Sequence, residues 1–222
     1  MAILFRTNLG IRFVMDALMK GGIPFHMKDA IPNLFAHWIS LDIIAYLRLV
    51  SGTGNTRANW LRIMNRPNRY IKREALAPFT SDISVAQLKA YYQDKDWMLE
   101  RLDRLEYDLS IMKRMSPYAA IHYLSNAMKY QDYLKDYAKE HHINEQELLD
   151  VLNAVHESSQ SCRTFAEWFT YIDTYTEELQ KQAKSPASND ANNESGVCLC
   201  TLHCAKGLES VSYTHLTLPT NS

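Results

Sequence analysis

Near its carboxyl end the chain reads Val197-Cys198-Leu199-Cys200-Thr201-Leu202-His203-Cys204-Ala205-Lys206-Gly207-Leu208-Glu209, and this stretch decides the fold. A strand-like run ends in a Thr/His pair, followed by a small residue and Lys206-Gly207. That order places polar side chains and accessible backbone N–H groups at the carboxyl end of a strand, where open α/β sheets bind ligands. It is not a phosphate-binding P-loop. The order is Lys-Gly rather than Gly-Lys-Ser/Thr, and the preceding glycine is missing.

Working outward, Lys184 to Gly196 is polar, rich in Ser and Asn and without periodicity, so 184–196 is expected to be a flexible linker. At the other end of the chain, Ala2 to Phe5 is a short apolar run, followed by a helical pattern with Val14, Ala17 and Leu18 on one face. Gly21-Gly22 stops it, and Ile23-Pro24-Phe25 begins another extended segment. Strand, helix, strand is the unit of a parallel α/β sheet. A helix over about 37–50 turns Ile39, Ile43, Ile44 and Leu47 inward and ends at Ser51-Gly52. Another over about 57–66 carries Trp60, Leu61 and Met64 and is closed by Pro67.

From about residue 71 the pattern is helix after helix. Ser84-x-x-Gln87 is a capping box, Ser116-Pro117 an N-cap followed by proline at the first helical position, and Asn144-x-x-Glu147 and Thr164-x-x-Glu167 resemble capping boxes. Trp97, Tyr130, Tyr133, Tyr137, Phe165, Trp168 and Phe169 recur at helical spacings, which favours core packing over base stacking for most of them. The expected fold class is therefore α/β with a large all-α insertion, one sheet domain interrupted by helices.

The carboxyl-terminal stretch resembles motif V of UvrD/Rep-like superfamily 1 helicases, T-x-H-x-A-K-G-L-E, with every fixed position filled. Ala2-Ile3-Leu4-Phe5-Arg6-Thr7-Asn8, then Arg12, Ala17-Leu18 and Gly22-Ile23-Pro24-Phe25, resembles motif IV and its continuation. Trp38 to Leu49 is similar to the helix that follows motif IV in that family. Arg62-Ile63-Met64-Asn65-Arg66-Pro67-Asn68-Arg69 resembles the R-I-x-N-x-P-x-R segment that leads from the second motor domain, 2A, into its insertion, 2B. Family members often continue with Gly-Ile-Gly, a turn that offers backbone N–H groups to duplex phosphates, where this chain has Tyr70-Ile71-Lys72.

The resemblance implies a partial RecA-like motor domain 2A at 1–70, a helical 2B subdomain at 71–183, and a return to 2A at 197–209. It implies that Arg6 reaches the γ-phosphate of ATP across an interdomain cleft, as a fixed charge for phosphoryl transfer. Gly207 and Glu209 would belong to the nucleotide site, and Thr201 and His203 would contact single-stranded DNA. Arg66, Arg69, Lys72 and Arg73 would meet phosphates at a single-strand/duplex junction. The implied cofactor is ATP with Mg²⁺, whose ligands belong to the other motor domain. The Gly-Lys-Thr loop, the Mg²⁺-binding carboxylates and the motif VI arginine are not in these 222 residues. The expectation is a fragment of a 3′–5′ DNA helicase of repair, replication or recombination, inactive alone. The alternatives are a helical DNA- or protein-binding module, or the motor part of a helicase–nuclease subunit. Residues 210–222 resemble a foreign tail.

Composition sets looser bounds. No run of eighteen apolar residues occurs and the first residues lack the form of a signal peptide, so a cytoplasmic protein without membrane contact is expected. The net charge of −1 gives no prior for nucleic acid, but residues 1–80 hold eleven Lys/Arg against four Asp/Glu. Within that half, Arg57, Arg62, Arg66, Arg69, Lys72 and Arg73 follow one another without an acidic residue. That suits phosphate contact, although on charge alone a solvated face explains it better. Cys198-x-Cys200-x-x-x-Cys204 beside His203 has zinc-ligand chemistry, but without a second Cys-x-x-Cys pair reduced, buried thiols are the expectation and no metal site. His141-His142 reads as a solvated pair.

Overall fold

The structure is a computed structural model that describes residues 2–5, 14–15, 17–18, 21–27, 33–54, 56–184 and 196–201. The chain divides into two compact units, one of Met1–Pro32 with Glu177–Ser222 and one of Asn33–Thr176.

The first unit holds a three-stranded parallel sheet of β1 (Ala2–Phe5), β2 (Phe25–Met27) and β3 (Val197–Thr201) in the order β1-β3-β2. The strand from the far end of the sequence is thus the central one, with Leu199 buried in it. Between β1 and β2, residues 14–15 and 17–18 are helical. Met15 and Leu18 are the buried pair, whereas Ala17, expected to face inward, is exposed. The helical stretch ends in a Schellman closure, with the Ile23 N–H on the Leu18 carbonyl at 2.9 Å and Gly22 at φ +63°, a conformation that glycine adopts without strain. A second glycine opens β3. A Cβ on Gly196 would lie 2.9 Å from the Pro24 carbonyl oxygen, the atom that accepts from the Val197 N–H at 3.0 Å, so only glycine lets the central strand start there.

The second unit is helical. In order it contains α1 (Trp38–Ser51), α2 (Arg57–Ile63), α3 (Val85–Tyr91), α4 (Asp96–Met112), α5 (Pro117–Asn126), α6 (Tyr130–His141) and α7 (Glu145–Ser158). The long α8 (Phe165–Lys184) begins in it. Nine of the fourteen residues of α1 are buried, on all sides, so α1 is a core helix rather than a half-exposed cover of a sheet. It packs against α2, α4, α5 and α7. By compactness, α1 and α2 group with the helices that follow them, in the unit of Asn33–Thr176.

Local signals work largely as read. Gly52 caps α1 at φ +76°. Ser84 and Gln87 form a reciprocal capping box, and Ser116 accepts from the Ala119 N–H ahead of Pro117. Glu167 departs by one residue: its carboxylate accepts from the Arg163 N–H at 2.7 Å, while Thr164 Oγ1 accepts from the Glu167 N–H. On α2 the inward residues are Trp60 and Ile63, and Leu61 and Met64 are only half-buried. Among the aromatics, Tyr130 and Trp168 are fully buried, and the Trp168 indole N–H donates to Ser158 Oγ at 3.0 Å. Trp97 is a correction: it is 50% exposed and belongs to no core.

Candidate nucleotide and DNA interface

In the sheet unit the register sets Phe5 beside Thr201 and Met27 beside Leu199. Because the strands are parallel, their carboxyl ends share one edge. In the sequence Arg6 follows Phe5 directly, and Leu202 follows Thr201 of the adjacent strand. Ligands of open parallel sheets bind outside this edge because loops fan apart there and helix N-termini point toward it. The strands that lead into the two stretches resembling motifs IV and V are paired in this way. The backbone of Thr201 is the last described part of β3. Arg6, His203, Gly207 and Glu209 lie outside the described residues, as does Cys204 of the cysteine cluster. Cys198 is a free thiol.

Several cations of the basic segment 57–73 are bonded within the protein. Asp42, fully buried on α1, accepts from Arg66 Nη1 at 2.9 and 3.1 Å, from Arg62 Nη1 at 3.2 Å and from the Tyr130 hydroxyl at 2.9 Å. Burial pushes its carboxyl above the usual range against the pull of Arg66 and of the bonds from Tyr130, Arg66 and Arg62. Burial and the Asp42 charge hold the Tyr130 hydroxyl well above its ordinary value, so it remains a donor. The Arg66 guanidinium also lies 5.6 Å from the Trp38 ring. Arg69 donates to the carbonyls of Ile63 at 3.0 Å and Pro67 at 3.3 Å, with the Tyr46 ring 5.8 Å away. Tyr46 in turn donates to the Arg66 carbonyl at 2.7 Å.

Beyond the Arg66–Pro67 cis peptide, Asn65 clasps the returning chain. Its Nδ2 donates to the Ile71 carbonyl at 2.9 Å, and its Oδ1 accepts from the Ile71 N–H at 2.8 Å. The Lys72 N–H donates to the Tyr92 hydroxyl at 2.6 Å. Two consecutive N–H groups of the Tyr70-Ile71-Lys72 turn are therefore satisfied within the protein. Tyr70, at the first Gly position of the family's Gly-Ile-Gly, adopts φ +61°, the left-handed conformation that a glycine would take freely.

Of the four cations expected to meet phosphate, Arg66 and Arg69 make these internal bonds while staying partly exposed. Lys72 and Arg73 are exposed and make no ion pair with a described residue. Sequence reasoning missed Asp42, Asn65 and Tyr92 as the groups that organise the turn. A lone Asp inside the apolar pattern of α1, with no second acid before Glu74, was the available signal for Asp42.

Comparison with known proteins gives a family match over nearly the whole chain. Residues 1–211 match the family model described as the UvrD-like helicase C-terminal domain. Bacillus subtilis YjcD is 24% identical over 214 residues, covering 94% of this chain and 26% of that protein. The ATP-dependent DNA helicase PcrA of Bacillus subtilis is 26% identical over 224 residues, covering 94% and 30%. The ATP-dependent DNA helicase PcrA of Staphylococcus epidermidis is 24% identical over 227 residues, covering 94% and 29%. The chain thus spans under a third of the length of the curated relatives it matches. Since the family match runs unbroken from the first strand, across every described helix, through the strand that returns beside it, the chain belongs to the UvrD-like helicase C-terminal domain family.

Proposed function

We propose that these residues form the second motor domain, 2A, of an ATP-dependent 3′–5′ DNA helicase, together with its helical 2B insertion, and act only alongside a first motor domain. The single observation that supports this reading is the parallel pairing of β1 with β3, which sets Phe5, the residue before Arg6, beside Thr201, the residue before Leu202, at one sheet edge. A guanidinium leaving a strand end there offers fixed positive charge to a phosphoryl group held against the edge. Gly207 and Glu209 complete the nucleotide side of that edge. Thr201 and His203 serve a single strand of DNA passing over it. ATP arrives with Mg²⁺, and the sequence supplies no P-loop to hold either, so this chain's part is to contribute Arg6 and to couple the nucleotide edge to the DNA edge.

On this reading Lys72 and Arg73 supply the phosphate contacts of the helical unit near a single-strand/duplex junction, with Arg66 and Arg69 behind them as scaffold. The service is DNA repair, replication or recombination in the cytoplasm. Among the described residues no helix is long and apolar enough to cross a membrane.

Two measurements test the proposal. The purified chain of 222 residues should show background ATP hydrolysis with or without single-stranded DNA. Robust DNA-stimulated turnover would refute its dependence on a first motor domain. In the parent protein, Arg6→Ala should lower DNA-stimulated ATP turnover by about 10³-fold, the scale of losing an arginine that stabilises phosphoryl transfer, with little change in nucleotide affinity. Turnover within tenfold of the parent's would remove Arg6 from that role.

A further inference from the structure

The helical unit carries an exposed aromatic cluster that its own packing does not explain. Tyr70 is 65% exposed, more than any other large hydrophobic side chain among the described residues, and Trp97 is 50% exposed. Both rings lie 5.0 Å from the same guanidinium carbon, that of Arg101, one turn along α4 from Trp97. Arg101 is itself exposed and makes no ion pair among the described residues. Its contacts are the two ring faces and a marginal 3.5 Å approach to the Arg69 carbonyl. Tyr70 holds its ring there from a left-handed backbone, which strains any side-chain-bearing residue. Lys72 and Arg73, both exposed, follow within three residues.

We propose that Tyr70, Arg101 and Trp97 form a stacking platform for unpaired nucleobases of a single nucleic-acid strand, with Lys72 and Arg73 taking the adjoining phosphates. The inference rests on the nucleic-acid part of the function proposed above. Ring faces and a guanidinium plane bind any base, because every base has a π-face, and cations beside them follow the backbone. In an intact duplex those faces are hidden by stacking, so the platform selects unpaired nucleotides. A turn of free N–H groups would instead suit duplex phosphates, but here the N–H groups of Ile71 and Lys72 are already bonded to Asn65 and Tyr92. The strained tyrosine projects a ring where such a turn would present its backbone.

The test uses the whole chain and an unstructured oligothymidylate, followed by fluorescence anisotropy of the labelled oligonucleotide and by tryptophan emission. Trp60 and Trp168 are buried and Trp38 is half-buried, so Trp97 is the most exposed of the four tryptophans. Quenching by the oligonucleotide should reside largely in it and fall sharply in Trp97→Phe, which keeps a ring and most of the affinity, while Trp38→Phe should leave the quenching in place. Tyr70→Ala, Trp97→Ala and Arg101→Ala should each weaken binding about fivefold or more, the lower end expected for losing one stacked base. A blunt-ended duplex should compete poorly. Since all three side chains are exposed, urea midpoints of the variants should stay near that of the parent chain. Binding within twofold of the parent for all three alanine variants, or equal competition by blunt duplex, overturns the platform alone, and a cluster serving a protein partner would give the first of these results. Absence of any nucleic-acid binding by the parent chain overturns both the platform and the DNA contacts on which it rests.

Discussion

Replacing Asp42 with alanine tests whether the basic segment is held from within. The carboxylate is fully buried and receives bonds from Arg62, Arg66 and Tyr130, three elements whose partners change at once when it is removed. Breaking a buried ion pair by deleting one partner costs about 3–5 kcal/mol when the other charge stays buried. Here the two guanidinium side chains are 35% and 38% exposed and can turn to water, so the figure must be discounted. What cannot escape is the Tyr130 hydroxyl, buried and left without its acceptor, at about 1–3 kcal/mol. Together these place Asp42→Ala at about 2–4 kcal/mol, a fall in melting temperature of roughly 5–15 °C for a domain of this size. Asp42→Asn keeps an acceptor for Tyr130 and should cost less than half as much.

The pH dependence separates charge from shape. Burial raises the Asp42 carboxyl above its ordinary 3.8, so the folded state binds this proton more tightly than the unfolded chain. Stability from this group is greatest below 3.8, declines as pH rises through the window up to the raised folded value, and is flat above it. The stability of the parent chain relative to Asp42→Asn should therefore fall across that acid window as pH rises. Urea unfolding followed by far-UV circular dichroism reads both effects. A cost for Asp42→Ala under about 0.5 kcal/mol, the level of an ordinary surface substitution, would refute the claim that this residue organises the segment.

Asn65→Ala removes both bonds that clasp Ile71 and should destabilise by about 1–3 kcal/mol, while Asn65→Asp, keeping only the acceptor, should recover part of it in the same urea titration. His37 caps α1 by accepting from the Ile39 N–H on Nδ1, and burial lowers its pKa despite the nearby Asp42 charge. Its contribution is complete above 6.5 and is lost as pH falls through the lowered folded value, so His37→Asn should flatten that part of the stability profile. His37→Ala should cost about 1 kcal/mol at neutral pH. Lys72→Ala and Arg73→Ala should each reduce the slope of log affinity against log salt for DNA by about 0.7–0.9, whereas Arg62→Ala should leave the slope unchanged and lower the urea midpoint.

Much of the architecture was legible because its signals are local. Capping residues at Ser84 and Ser116, the glycine stop at Gly52 and the spacing of Ile39, Ile43 and Leu47 each act within a turn or two of chain. The pairing of β1 with β3 was legible for another reason: the two stretches carry fixed patterns whose resemblance implied one sheet. What escaped was long-range. Whether α1 belongs with the sheet or the helices depends on how many of its faces find partners, and periodicity shows one face at a time. Trp97 reads as core at helical spacing, yet its surroundings are Arg101 and solvent. The run from Arg57 to Arg73 holds no acid, so nothing local signals a partner, while the acid that Arg62 and Arg66 bond lies twenty or more residues earlier on α1.

On the reading proposed above, that hidden pairing bears on how the segment would meet nucleic acid. A turn of unsatisfied N–H groups binds a phosphate with a rigid, directional site, and its geometry is fixed by backbone alone. In this chain the equivalent N–H groups are bonded to Asn65 and Tyr92, and the guanidinium groups of Arg66 and Arg69 face Asp42 and backbone carbonyls. The more exposed groups are the cations of Lys72, Arg73 and Arg101 and the rings of Tyr70 and Trp97, while the Arg62 and Arg66 side chains are 35% and 38% exposed. Flexible cations carry a strongly salt-dependent, sequence-blind attraction, and ring faces recognise bases only where those bases are unpaired. On the same reading, the internal staple and the exposed cluster belong to one arrangement: where the backbone N–H groups of the turn are bonded within the fold, recognition falls to side chains, and ring faces favour the open strand over the duplex phosphate.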